Sequence, residues 1–150
     1  MLGLSNEQLE AMRKAEEERR AEQERENRRN ALREQIRQWD GKLSNVNSQI
    51  TALSAERSRL DACLGDWDAQ KNAYNGNQIL SEVVIVNVFE GVCADRIKTD
   101  LEQCMAKMNQ TRASVGGLNG NVSAQITRLG QYVSFIKGKL STLNSELSSI

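Results

Sequence analysis

"LREQIRQWDGKLSNVNSQITALSAERSRLDACLGDW", Leu32 to Trp67, decides the fold. Stepped alternately by four and three, it puts Leu32, Ile36, Trp39, Leu43, Val46, Ile50, Leu53, Arg57, Leu60, Leu64 and Trp67 on one line, and ten of these eleven positions are apolar. That step keeps a narrow stripe on a slightly supercoiled helix, so the stretch predicts a coiled-coil seam rather than the broad face of a globular helix. Gly41 and Gly65 each cost about 1 kcal/mol of helix propensity, which so regular a seam tolerates.

Continued backwards, the same frame lands on Arg29, Arg25, Glu22, Glu18, Ala15 and Ala11, and the seam turns polar. The segment keeps strong helix formers and spaced ion pairs such as Glu10 with Lys14, Glu16 with Arg20 and Glu24 with Arg28, each worth a few tenths of a kcal/mol. "SNEQ", Ser5 to Gln8, reads as a capping box with Ser5 at the N-cap. Continued forwards, a second stripe starts at Leu101, Met105 and Met108 and passes through Val115 to Val122, Ile126, Leu129, Val133, Ile136, Leu140, Leu143, Leu147 and Ile150. Lys98, Arg112 and Asn119 fall in or near this frame, so it is poorer before Val122 than after it. "GGLNGN", Gly116 to Asn121, is its weakest point, where a bend or a dynamic spot is expected.

Between the stripes, "NGN" at Asn75 to Asn77 favours a turn, and Val83 to Phe89 is rich in β-branched residues. An isolated strand has no edge to pair with, so a connector packed on a hairpin tip is expected. The fold class is all-α: a long antiparallel helical hairpin with coiled-coil-type packing, completed by a partner chain. Its parts are a charged N-terminal helical arm (1–31), a first hairpin helix (32–74), a connector and tip (75–93) and a second hairpin helix (94–150).

Composition narrows the function. The chain has 150 residues, six aromatic side chains, no Pro and no His, material for thin helical seams rather than the walls of a large enclosed pocket. Lys and Arg number 20 and so do Asp and Glu, which gives no reason to expect nucleic acid or an anionic membrane as partner. Residues 107–150 carry five bases against the single acid Glu146, a mildly basic arm whose charges read as a solvated face. Without His, metal-ligand spacing, a phosphate-cradling loop or a clustered triad, no catalytic residue, cofactor or metal site is assigned. Cys63, Cys93 and Cys104 read as small apolar thiols in a reducing compartment. "MLGLSNEQLEAMRK" shows no basic stretch followed by an apolar core, and "VVIV" at Val83 to Val86 is far too short to span a membrane. A cytoplasmic protein is expected, or one that leaves by a route that does not read a classical leader.

A bend near residue 82 would set Leu32 to Trp67 against about residues 97–132, and Val133 to Ile150 against the polar residues 14–31. On that register Val133, Ile136, Leu140, Leu143, Leu147 and Ile150 are mismatched and form a partner-binding stripe, since exposed apolar patches of that length are uncommon in lone soluble proteins. At the tip, the Phe89 ring plugs the junction, Gly91 permits close chain approach, Ala94 starts the second helix without bulk, and Ile97 adds supporting packing.

"FEGVCADRI", Phe89 to Ile97, resembles the Trp-x-Gly turn of the WXG100-like helical-hairpin proteins of type VII (ESX-like) secretion, with Phe89 at the Trp position, Gly91 at the Gly, Ala94 at the small residue and Ile97 at the apolar one. Roughly residues 60–145 are similar to small helical proteins encoded beside LXG-domain toxins in Gram-positive bacteria. The resemblance implies a non-enzymatic adaptor or targeting chaperone that binds the helical N-terminal domain of an LXG toxin, with a second small helical protein as a further partner and Phe89, Gly91, Ala94 and Ile97 as a recognition tip. Position 89 is Phe rather than Trp, and four residues after Tyr132 and Phe135 stand Ile136 and Lys139 rather than an acid. These departures favour an obligate partner of an exported protein, carried out with it, over an independently exported one. The alternative from the residues alone is a self-associating structural coiled-coil protein, so a homodimer stays open.

Overall fold

The computed structural model describes residues 5–75 and 92–150, with side chains for 5–74 and 95–150. Within them the chain is all-α and consists of two long helices that pack together as a hairpin: α1, Asn6–Asn75, and α2, Val92–Ser148. The charged arm and the first hairpin helix are therefore one helix, and α2 starts two residues before the expected position 94. No described helix is long and apolar enough to cross a membrane. The expected turn at Asn75 to Asn77 and the β-branched segment Val83 to Phe89 fall, but for Asn75, outside the described residues.

The start of α1 follows its sequence signal closely. The Ser5 backbone N–H donates to Gln8 Oε1 at 2.9 Å, and the Gln8 N–H donates to Ser5 Oγ at 3.3 Å. This is the reciprocal capping box, satisfying donors that the first helical turn leaves without partners. Beyond it every residue from Asn6 to Arg25 is exposed, so the arm is held by its own backbone and by local charge pairs. Arg20 pairs with Glu16 at 2.6 Å, and Glu22 and Glu26 serve Arg25, Arg29 and Arg33 at 3.3–3.5 Å.

The chain divides into two compact units. The first is built from Met1–Ser48 and Gln131–Ile150. It holds Leu32, Val46, Ile136 and Leu140, which are 6%, 6%, 0% and 8% exposed and are the buried hydrophobic residues among those described. The second unit is Gln49–Gly130. Its seam positions Ile50, Leu53, Leu60, Leu64 and Trp67 from α1, and Val115, Val122, Ile126 and Leu129 from α2, are all only half-buried. Both units use the 4-3 stripe that the sequence lays out; Arg57, the one polar position of the first stripe, is exposed.

The Gly-rich stretch does not break α2, which is helical through Gly116, Gly117 and Gly120. A Cβ added at any of the three would meet nothing within 4 Å. Close approach inside the chain therefore does not require glycine at the exposed position 117. Gly117→Ala is expected to stabilise the isolated protein by about 0.5–1 kcal/mol through reduced backbone freedom in the unfolded state. Chemical unfolding monitored by circular dichroism measures it; a loss of stability would mean that the backbone at 117 needs a freedom the helix does not display.

Candidate partner-binding surfaces

Register decides which apolar residues are free. In the second unit, Lys71 Nζ donates to Asn109 Oδ1 at 2.6 Å, Arg112 Nε and Nη2 donate to the two oxygens of Asp68 at 2.6 and 2.8 Å, and Asn119 Nδ2 donates to Asp61 Oδ1 at 2.6 Å. All three pairs centre on position 90, not 82. In the first unit, Arg29 Nη2 donates to the Ile150 carbonyl at 3.0 Å, and the Trp39 and Phe135 rings meet edge to face at 5.9 Å.

The register expected of the C-terminal stripe, opposite residues 14–31, is thereby corrected, while its partner-binding role stays a matter of function. Val133, Ile136, Leu140, Leu143, Leu147 and Ile150 share a compact unit with Leu32, Ile36, Trp39, Leu43 and Val46 of α1, not with a polar arm alone. Ile136 and Leu140 are buried by the chain itself, and Val133, Leu143, Leu147 and Ile150 are half-buried. The physical reason is that a repeating apolar stripe can pair at several slips, so the off-pattern polar residues choose the register. Connector length does not.

The Asp68–Arg112 pair is bidentate, and both side chains are about two-fifths exposed, at 43% and 41%. Hydrogen bonding from Arg112 holds the Asp68 carboxyl below the ordinary carboxylate range; partial burial opposes this, and the charges of Arg112 and Lys71 assist it. The Arg112 guanidinium is raised in turn, chiefly by its hydrogen bond with Asp68. A depressed acid contributes stability that is present above its unfolded value and is lost as pH falls through its folded one. Asp68→Asn should therefore lower the melting temperature at neutral pH, and the gap to wild type should close as pH drops below the carboxylate range. A gap of constant size across that titration would remove the pair from the account.

Of the tip residues, Phe89 and Gly91 lie outside the described residues; Ala94 falls in the first turns of α2, and Ile97 is half-buried on the same helix. Cys63 and Cys104 are free and exposed. Among the described residues no three potential metal ligands gather. Two seam atoms of the second unit, Trp67 Nε1 and Asn119 Oδ1, are buried without a hydrogen-bond partner among the described residues.

One surface was not singled out from sequence. On the first unit Tyr132 stacks on Phe135, with ring centroids 6.1 Å apart and planes 13° from parallel, and Phe135 meets Trp39. Lys42 Nζ lies 4.0 Å from the Trp39 centroid and Lys139 Nζ 5.8 Å from that of Phe135. Tyr132 and Phe135 remain 40% and 51% exposed. The signal was available: the two rings stand three residues apart beside the seam frame, with Lys139 one turn beyond. Neither a family model, nor a curated protein, nor a solved structure matches the chain.

Proposed function

We propose that the chain is a non-enzymatic adaptor or targeting chaperone that binds the helical N-terminal domain of an LXG-type toxin for type VII secretion, and that this partner completes the hairpin as a helical bundle. The observation that carries the reading is the half-open seam of the second unit. There the apolar stripe positions are only half-buried, and the unit's described residues include no buried hydrophobic residue. Two helices enclose little volume, whereas a third and fourth helix close the same seam on both sides. A partner helix would also bring polar groups to Trp67 Nε1 and Asn119 Oδ1. The identity of the partner rests on the resemblance of Phe89 to Ile97 and of roughly residues 60–145 to the proteins encoded beside LXG toxins.

On this reading the protein works in the cytoplasm and leaves, if at all, with its cargo; Phe89 and Gly91 present the tip to the secretion machine, with Ala94 and Ile97 supporting it. The test is co-expression with the helical domain of an LXG toxin encoded in a neighbouring reading frame. A stoichiometric complex that survives size-exclusion chromatography is expected, and Phe89→Ala should leave that complex intact while abolishing toxin export. A lone reading frame with no such neighbour, or normal export with Phe89→Ala, would defeat the escort role and its tip respectively.

A further inference from the structure

We infer that the exposed aromatic face of the first unit, formed by Trp39, Tyr132 and Phe135 between Lys42 and Lys139, is the docking site of a partner helix whose apolar stripe is flanked by carboxylates. This deepens the adaptor reading and rests on it for the identity of the partner, though not for the chemistry of the surface. Phe135 and Tyr132 keep 51% and 40% of their surface in water, although the buried seam lies on the same stretch of α2. Large rings held at a surface are the residues from which binding hot spots are made.

The rings are also preorganised. Stacking at 13° and an edge-to-face contact at 5.9 Å fix three aromatic side chains before anything binds, so little rotamer freedom is left to lose. The Tyr132 and Phe135 centroids are 6.1 Å apart. That matches the roughly 5–6 Å between side chains one turn apart on a helix, so each ring can take one apolar side chain of the incoming stripe.

Charge selects the kind of helix. Lys42 Nζ sits over Trp39 at one end of the patch and Lys139 Nζ over the central ring, Phe135, and both side chains are exposed. Asp40 follows Trp39 but stands on the opposite flank of the seam by helical geometry. A partner covering the rings therefore meets two exposed cations against them, and carboxylates beside its stripe would pair with them. A second copy related by a two-fold axis through this patch would instead set Lys42 and Lys139 against themselves, which like-charge repulsion disfavours. The occupant is a different, acidic chain.

The experiment uses the full chain and two synthetic four-heptad helical peptides with identical Leu stripes, one flanked by Glu and the other by Lys, with binding followed by fluorescence anisotropy. The Glu peptide is expected to bind about tenfold or more tightly than the Lys peptide, with the difference shrinking in high salt. Phe135→Ala should weaken the Glu peptide by about tenfold. Lys42→Glu combined with Lys139→Glu changes only exposed side chains and should invert the preference, with helicity unchanged. Equal binding of the two peptides, or wild-type affinity in Phe135→Ala, overturns the site. The LXG helical domain serves as a third ligand: if it binds regardless of both variants the surface is wrong and the adaptor reading stands, and if the Glu peptide alone binds, the reverse holds.

Discussion

Replacing Ile136 by Ala should lower the unfolding free energy of the isolated chain by about 2–5 kcal/mol, and replacing it by Asp should abolish the cooperative helical transition. Ile136 is the one described side chain with no exposed surface, so its truncation leaves a cavity that neighbouring residues fill only in part. A small domain is stable by only about 5–15 kcal/mol, which makes this loss a large share of the whole. Leu147→Asp, at a half-buried position near the end of α2, should cost less, about 1–2 kcal/mol. Unfolding curves of both variants, with size measured by analytical ultracentrifugation, decide the matter. If Ile136→Asp kept the helicity and melting temperature of the wild type and lost only association with another chain, the C-terminal stripe would be an intermolecular surface after all.

The second large effect is expected on binding. Anything that binds the folded hairpin and not the unfolded chain stabilises it by mass action, and at a partner concentration a hundred times Kd this amounts to about 2.7 kcal/mol. For a chain of 150 residues that is a rise of about 5–10 °C in melting temperature. An LXG helical domain mixed with the protein should produce such a rise, and Leu60→Asp together with Leu64→Asp, placed in the half-open seam, should remove it. A complex that forms without shifting the melting curve would mean that the partner leaves the seam uncovered, and the bundle-completion argument would fail.

The helices themselves were legible because a 4-3 apolar step over many turns admits few other conformations, and the N-terminus because Ser5 and Gln8 stand at the spacing a capping box demands. The register was harder to read. A stripe of equivalent apolar positions matches its partner at several slips, and centring the hairpin on its connector chose the wrong one. The polar interruptions held the answer: Arg112 and Asn119 lie in the second frame, and only a register centred on position 90 brings them to Asp68 and Asp61. The aromatic face escaped notice because Tyr132 and Phe135 lie beside the stripe, where an apolar residue is ordinarily unremarked and only the meeting with Trp39 across the hairpin gives it meaning.

The uneven burial between the two units has a consequence for motion. Free energies of local opening follow the density of buried apolar contact, so amides of Gln49 to Tyr74 and of Leu101 to Gly130 should exchange with solvent through partial openings, while those around Leu32, Val46, Ile136 and Leu140 wait for global unfolding. The unit with the weaker seam should then open as a separate foldon. On the adaptor reading this makes capture a matter of timing as well as fit: an incoming helix would meet a pair of helices already parting, and its arrival would convert weakly protected amides of the second unit into well-protected ones.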